Sequence, residues 1–174
     1  MFSLLRQLPR PVMVRDARPG ELAAAGRLRV AAYRAGGHLS ASSEYAATLA
    51  ALGTAGDGQV LVAVEDGQVL GTVMLQPWPH AGRVVTEPDE AEIRALAVVP
   101  DGQGRGIGGA LLQAVIDRAG RRGIRHLVLC TQPDMRAAHH LYERAGFGRL
   151  PERDWSPVPG TTLLAYGLVL PAGH

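Results

Sequence analysis

The most informative segment of the sequence runs from Val98 to Leu112 and reads Val-Val-Pro-Asp-Gly-Gln-Gly-Arg-Gly-Ile-Gly-Gly-Ala-Leu-Leu. Residues 92–99 predict a strand that ends at Pro100, and residues 106–121 show the apolar spacing of a helix. Glycines allow a ligand to approach the backbone closely, and the first N–H groups of a helix carry the positive end of its dipole. A strand, a glycine-rich turn and a helix in this order predict an anion site, most naturally for a pyrophosphate.

The rest of the chain alternates between short strands and helices, as expected of an α/β or α+β domain. Residues 1–10 are interpreted as an N-terminal arm, and residues 11–174 as a single domain. Residues 80–90 and 151–160 read as loops. Strands are predicted over 12–15, 60–64, 69–76, 126–131, 147–150 and 161–170, and further helices over 21–34, from a cap at Ser42 or Ser43 to Leu52, and over 135–145.

Composition excludes several classes of function. The 174 residues contain a single cysteine, Cys130, so neither a disulfide framework nor a cysteine-based zinc cluster is expected, and no metal is predicted. All 18 basic residues are arginine, which removes lysine Schiff-base chemistry and the Walker lysine. A net charge of +2 disfavours nucleic acid as a partner. Without an 18-residue apolar run or a signal peptide, the expected location is the cytoplasm.

Positive charge is concentrated near the glycine turn. Between Arg105 and Arg125 five arginines face one acid, Asp117. A basic patch of this kind is expected to hold a phosphorylated small ligand.

Two classes of ligand compete for the glycine turn. Gly104-x-Gly106-x-x-Gly109 matches the dinucleotide fingerprint. Against that interpretation, residues 100–103 separate the strand from the glycines, and the next strand ends in Cys130-Thr131-Gln132, without an acid to bind a ribose.

The alternative is a resemblance to a known family. Gln103-x-x-Gly106-x-Gly108, following Leu-Ala-Val-Val-Pro, resembles the acetyl-CoA signature of the GNAT superfamily of N-acetyltransferases. A second motif, Ala138 to Phe147 with its Leu-Tyr-Glu and closing Gly-Phe, is similar to the late helix of that family. The order of the predicted strands and helices also resembles the family's fold, over residues 11–170. Where many relatives have Asn, seven residues before the Tyr, this chain has Met135.

The resemblance implies a mixed, mostly antiparallel sheet of six to seven strands with about four flanking helices. Its two central strands, 92–99 and 126–131, should splay apart at one end. Acetyl-CoA would be the co-substrate, with its pantetheine in that gap and a backbone N–H near Val98 polarising the thioester. The implied cofactor-binding residues are Leu96, Ala97 and Val98 for pantetheine, and Gln103, Gly104, Arg105, Gly106, Ile107, Gly108 and Gly109 for the pyrophosphate.

Two catalytic residues follow from the resemblance. Glu92, at the start of the central strand, is the candidate general base for the incoming amine, and Tyr142 is the candidate acid for the leaving thiolate. Glu92 could instead belong to an acidic, solvated loop of residues 87–92, and Tyr142 could be a packing residue. Weaker candidates for the base are His38 and His80, whereas the adjacent His139 and His140 are expected on the helix surface or partly in the core.

The acceptor is expected between the first two helices and the 151–160 loop. A small amine, an amino acid, an antibiotic, a peptide N-terminus and a protein lysine all remain open. Aromatic and acidic residues suit a cationic amine, and those available are Tyr33, Glu44, Tyr45, Trp78, Asp154 and Trp155.

The leading interpretation is therefore an acetyltransferase that moves an acetyl group from acetyl-CoA to an amine. A non-catalytic acyl-CoA binding module and a GNAT-like toxin that acetylates aminoacyl-tRNA are the alternatives. A homodimer is also expected, because the apolar run in residues 161–170 predicts an edge strand that needs cover.

Overall fold

The computed structural model describes residues 11–39, 45–81 and 84–172. The predicted arm over residues 1–10 and the predicted helix cap at Ser42 or Ser43 lie outside these ranges. The helices are α1 Leu22–Ala35, α2 Tyr45–Ala51, α3 Ile107–Arg121 and α4 Arg136–Arg144. The strands are β1 Met13–Asp16, β2 Gln59–Glu65, β3 Gln68–Pro77, β4 Glu90–Val98, β5 His126–Thr131, β6 Gly148–Arg149, β7 Trp155–Val158 and β8 Thr161–Val169.

The strands form one mixed sheet in the order β1-β2-β3-β4-β5-β8-β6, with β7 also paired to β8. All described pairings are antiparallel except the central one, between β4 and β5. This confirms the predicted fold class. The sheet has one strand more than expected, because residues 155–158 of the predicted loop form β7 against β8.

Each face of the sheet has its own core. Helices α3 and α4 cover one face, where Leu111, Leu127 and Phe147 are buried. Helices α1 and α2 cover part of the other face, above Val62 and Met74. Each fully buried aliphatic side chain contributes roughly 1.5–3 kcal/mol to folding, so both helix layers are held by the sheet between them.

The prediction of an edge at the last strand is wrong. β8 pairs with β5 on one side and with β6 and β7 on the other, so its backbone groups are already used within the chain. The apolar run in β8 therefore gives no reason to expect a homodimer. Within the described ranges the structure has no helix with the length and apolar character needed to cross a membrane.

Glu90 makes several side-chain contacts at the end of the sheet where β4 and β5 begin. Its side chain is 3% exposed, and its Oε2 accepts from Arg153 at 2.8 Å and contacts His126 Nδ1 at 2.5 Å. Burial alone would raise its pKa, but the Thr86 N–H, Arg153 and His126 outweigh burial and lower the pKa to about 2. Glu90 is thus a buried structural carboxylate, which corrects the alternative that placed it in a solvated acidic loop.

Candidate active site

The central strands separate after three paired positions. β4 and β5 pair at Glu90 with His126, Ala91 with Leu127 and Glu92 with Val128. Beyond Glu92, β4 continues to Val98 without β5, as the predicted splay requires. The edge of a strand that lacks its neighbour offers free backbone N–H and C=O groups to an extended ligand.

A bulge in β4 shapes the wall of this gap. Thr72 pairs with Ala97 and Met74 with Arg94, so one residue of β3 opposes two of β4. Ala95, one of those two, has φ +55°, which is uncommon for a residue with a side chain. After the bulge Ala95 packs toward the α1 side and Leu96 toward the α3 side.

The gap opens into a cavity of about 320 Å³ that passes from one face of the sheet to the other. Residues from the α4 side and residues from the α1 side both contribute to its wall. The predicted residues Leu96, Ala97, Val98, Gln103 and Tyr142 line the cavity, as do Ala32, Tyr33, Gly36, His38, Ile93, Ala95, Cys130, Thr131, Asp134, Met135, Arg136, Ala137 and Ala138.

The glycine turn lies at the end of β4 and leads into α3. Gly104 and Gly106 both have φ +79°, a conformation that favours glycine, and a Cβ at either position would meet no atom within 4 Å. Gly106 is the N-cap of α3, so the N–H groups of Ile107, Gly108 and Gly109 start the helix without partners from a preceding turn. The turn is therefore an open cradle of N–H donors that fits a phosphate group.

Only one arginine of the predicted basic patch lies at this cradle. Arg105 is there, ion-paired with Glu65. Helix α3 has 15 residues and is therefore about 22 Å long, which places Arg118 and Arg121 at its far end. Arg118 forms a bidentate pair with Asp16 at 2.7 and 2.9 Å. The expectation that the patch acts as one phosphate-binding unit is wrong.

Tyr142 lies on α4 and forms part of the cavity wall. It is 7% exposed, and its ring packs 6.0 Å from that of Phe147 and 6.1 Å from that of Tyr166. Burial raises the pKa of its hydroxyl well above the usual range, so the oxygen keeps its proton at neutral pH. A buried phenol on the wall of a cavity can donate a hydrogen bond or a proton into it.

Glu92 occupies the last position at which β4 and β5 still pair, and it is 8% exposed. It is not among the residues that line the cavity. Its side chain lies on the face opposite Ala91 and Ile93, which pack toward α3. Glu92 therefore stands beside the closed end of the gap, on its α1 side.

The other polar candidates are placed as follows. His38 lines the cavity and lies 3.3 Å from Asp134, whereas His139 is near Tyr166 and 2.9 Å from the Gln132 carbonyl oxygen. Tyr33 also lines the cavity, and burial raises its pKa to about 12. Asp154 accepts two hydrogen bonds from Arg149 at 2.8 and 2.6 Å.

The remaining acceptor-side candidates divide by exposure. Tyr45 and Trp78 are 45% and 44% exposed, and Trp155 lies against the Cys130 thiol. Glu44 lies outside the described residues. No group of three or more His, Cys, Asp or Glu within the described part of the chain is placed to hold a metal ion.

Met135 occupies the position at which the resemblance leads one to expect an Asn. It is the N-cap of α4, and the Thr131 hydroxyl lies 3.6 Å from its sulfur. Sequence reasoning missed Thr131, which supplies a hydroxyl at this point of the cavity wall. Its place at the end of a buried strand was the available signal.

The chain is similar in sequence to known acetyltransferases. The sequence profile of the Acetyltransferase (GNAT) family matches residues 24–147. The mycothiol acetyltransferase of Cellulomonas flavigena is 36% identical over 113 residues, which are 60% of this chain and 32% of that protein. For three curated relatives the matched part spans 28–36% of their length.

Solved structures share the fold at lower identity. The ribosomal-protein-S18-alanine N-acetyltransferase of Escherichia coli has a TM-score of 0.69 and 23% identity, over 94% of this chain and 97% of that one. An acetyltransferase from Salmonella typhimurium, solved with its cofactor acetyl-CoA, has a TM-score of 0.67 and 22% identity, over 94% and 96% of the two chains.

Proposed function

The chain belongs to the GNAT family of acetyltransferases, and on that premise we propose that it transfers the acetyl group of acetyl-CoA to an amine. The observation that carries the proposal is the gap between β4 and β5. It crosses the sheet, has Tyr142 on its wall, and leads along β4 to the glycine turn. Two ligands can therefore enter from opposite faces and meet between the strands.

Acetyl-CoA fits the α3 side of this passage. Its pantetheine would lie along Leu96, Ala97 and Val98 as an added strand, because their edge has no β5 neighbour. Its pyrophosphate would bind the N–H groups from Gly104 to Gly109, with Gln103 and Arg105 beside it. The positive φ angles of Gly104 and Gly106 and the open space around them support this placement.

The residues beside the gap supply the proton transfers. Acetyl-CoA supplies an activated acetyl group, which passes to the amine as a carbon–nitrogen bond replaces the carbon–sulfur bond. The amine must attack in its neutral form, since an alkylammonium has a pKa near 10. Glu92 takes its proton, through a water molecule, because Glu92 stands beside the cavity and not in its wall.

The second transfer goes to the leaving group. Tyr142 donates to the departing sulfur, and a backbone N–H near Val98 polarises the acetyl carbonyl. The raised pKa of the Tyr142 hydroxyl supports an acid and not a base at this place.

The test combines binding with turnover. Calorimetry should detect acetyl-CoA binding and no NAD binding, and thiol release from acetyl-CoA should rise with at least one member of a broad amine panel. Binding of NAD alone would reverse the assignment of the glycine turn. Binding of acetyl-CoA without thiol release, unchanged in Glu92→Gln and Tyr142→Phe, would support the non-catalytic module.

A further inference from the structure

Arg94 occupies an unusual place on the acceptor side of the gap. It lies two residues beyond Glu92, the last β4 residue paired with β5, while Cys130 lies two residues beyond its partner Val128. Alternation along each strand puts Glu92, Arg94 and Cys130 on the same face of the sheet, the one away from α3. Arg94 and Cys130 thus flank the gap at the same level; Cys130 lines the cavity, and Arg94 lies beside it without lining it.

Among the described residues Arg94 makes one hydrogen bond and one long ion pair. Nη1 donates to the neutral Gln76 Oε1 at 3.2 Å, and Gln76 donates onward to Asp57 at 2.9 Å. Nε forms an ion pair with Glu92 Oε1 at 3.8 Å, a distance too long for a hydrogen bond. The Arg94 side chain remains 25% exposed, so an anion arriving from the α1 side can reach it.

A second guanidinium, that of Arg29, lies close enough to Arg94 to interact with it electrostatically. Arg29 on α1 is fully buried, and its Nη1 donates to the carbonyl oxygens of Leu49 and Leu52 at 3.3 and 2.9 Å. Its Nε and Nη2 have no hydrogen-bond partner among the described residues. Burial lowers the pKa of Arg29, Tyr33 opposes that shift, and the positive charge of Arg94 adds to it. A buried Arg29 next to a partly exposed Arg94 places two positive charges close together, which favours an anion beside them.

The Cys130 thiol across the gap does not compete with that anion for Arg94. Burial raises the pKa of the Cys130 thiol to about 11, so it carries no negative charge at neutral pH. Glu92 and Arg94 then present a carboxylate and a guanidinium side by side where β4 and β5 begin to separate, next to the cavity. This pattern is complementary to a molecule with an ammonium and a carboxylate a few atoms apart.

We propose that the acetyl acceptor is a small amine that also carries a carboxylate, as a free amino acid does, with its carboxylate bound by Arg94 and its nitrogen directed to Glu92. This inference rests on the proposed acetyltransferase function. Arginine binds carboxylates with two parallel hydrogen bonds, which fixes orientation as well as affinity. Loss of such a charged hydrogen-bond pair weakens binding by about tenfold to a hundredfold.

The experiment compares amino acids with their own carboxamides. Glycine, L-leucine and β-alanine, each beside its carboxamide, are offered with acetyl-CoA, and kcat and KM are measured separately. The wild type should prefer the acids by about tenfold or more in kcat/KM. The amine of a carboxamide loses its proton more easily, so intrinsic reactivity runs against this preference and cannot produce it.

Two variants test the residue. Arg94→Gln should raise KM for the acids to that of the carboxamides, with the KM for the carboxamides and the affinity for acetyl-CoA unchanged. Arg94→Lys, which retains the charge, should restore part of the preference. Arg27→Gln, an exposed arginine on α1, is the matched control and should behave as the wild type.

The outcomes separate the two proposals. Equal use of acids and carboxamides by the wild type, or an equal loss for both in Arg94→Gln, overturns the carboxylate site and leaves the acetyltransferase intact. Absence of acetyl-CoA binding by calorimetry defeats the proposed function itself. If Arg94→Gln does not fold, the wild-type preference together with Arg94→Lys still decides the matter.

Discussion

Replacing Tyr142 by phenylalanine removes one oxygen atom from the cavity wall and keeps the ring that packs on Phe147 and Tyr166. The hydroxyl has no hydrogen-bond partner among the described residues, and burial raises its pKa far above neutral. Removing the hydroxyl leaves no buried polar group without its hydrogen-bond partner. The free energy of unfolding should therefore change by less than about 1 kcal/mol. Any large effect of Tyr142→Phe must then come from chemistry.

The expected kinetic loss is bounded by the leaving group. A thiol with a pKa near 8.5 is a moderately good leaving group even without acid catalysis. The acid therefore contributes on the order of 10²–10⁴-fold to kcat. Because the hydroxyl stays protonated, the ratio of wild-type to variant rates should be constant from about pH 6 to about pH 9. The affinity for acetyl-CoA should not change.

Single-turnover kinetics with enzyme in excess over acetyl-CoA and saturating acceptor measure the chemical step directly. Tyr166→Phe is the matched control: Tyr166 is buried in the same aromatic cluster and does not line the cavity. Wild-type rates in Tyr142→Phe, or an equal loss in both variants, would refute the role of the Tyr142 hydroxyl.

Two further predictions concern the glycine turn and the closed end of the gap. Gly106→Ala and Gly123→Ala place a Cβ at nearly equal φ, +79° and +75°, into open space at opposite ends of α3. Each variant should lose about 1–2 kcal/mol of stability. Only Gly106→Ala should lose acetyl-CoA affinity, by about tenfold or more. Equal acetyl-CoA affinities of the two variants by calorimetry would place the phosphate elsewhere. Glu90→Gln should lose about 3 kcal/mol at pH 7, since the pKa falls from 4.5 to about 2 on folding. That stabilisation is complete above pH 4.5 and vanishes as the pH falls toward 2, so denaturant titrations of the two proteins should converge in acid; a constant difference, or an equal effect of the exposed Glu152→Gln, contradicts the assignment.

The sequence was most informative where local pattern and tertiary role coincide. The strand over 92–99, the glycine turn and the helix over 106–121 were placed within two residues, because period, proline and glycine all mark the same boundaries. The missed strand β7 contains Pro157, and proline normally argues against a strand. It forms because β8 extends beyond its pairing with β6, and residues 155–158 pair with that remaining part, which is a tertiary fact.

Roles that depend on distant neighbours were harder to predict. Glu90 looks solvated in a run of acids, and its burial depends on Arg153, 63 residues away. Similarly, the contribution of Tyr33 and His38 to the cavity depends on how α1 lies over β4. Tyr142 could be proposed because its neighbours along the chain carry a recognisable motif, whereas Arg94 has no such context.

The gap between β4 and β5 also divides most of the sheet into two hydrogen-bonded ladders. β1 to β4 form one ladder and β5 to β8 another, and three described residue pairs join them. Subglobal opening should therefore begin at this seam, and backbone amides from Leu96 to Val98 should exchange with solvent faster than those elsewhere in β4. A molecule inserted as an extra strand would slow that exchange on both sides at once. A ligand in the cleft would then make unfolding of the whole sheet more cooperative, without a change in the backbone conformation.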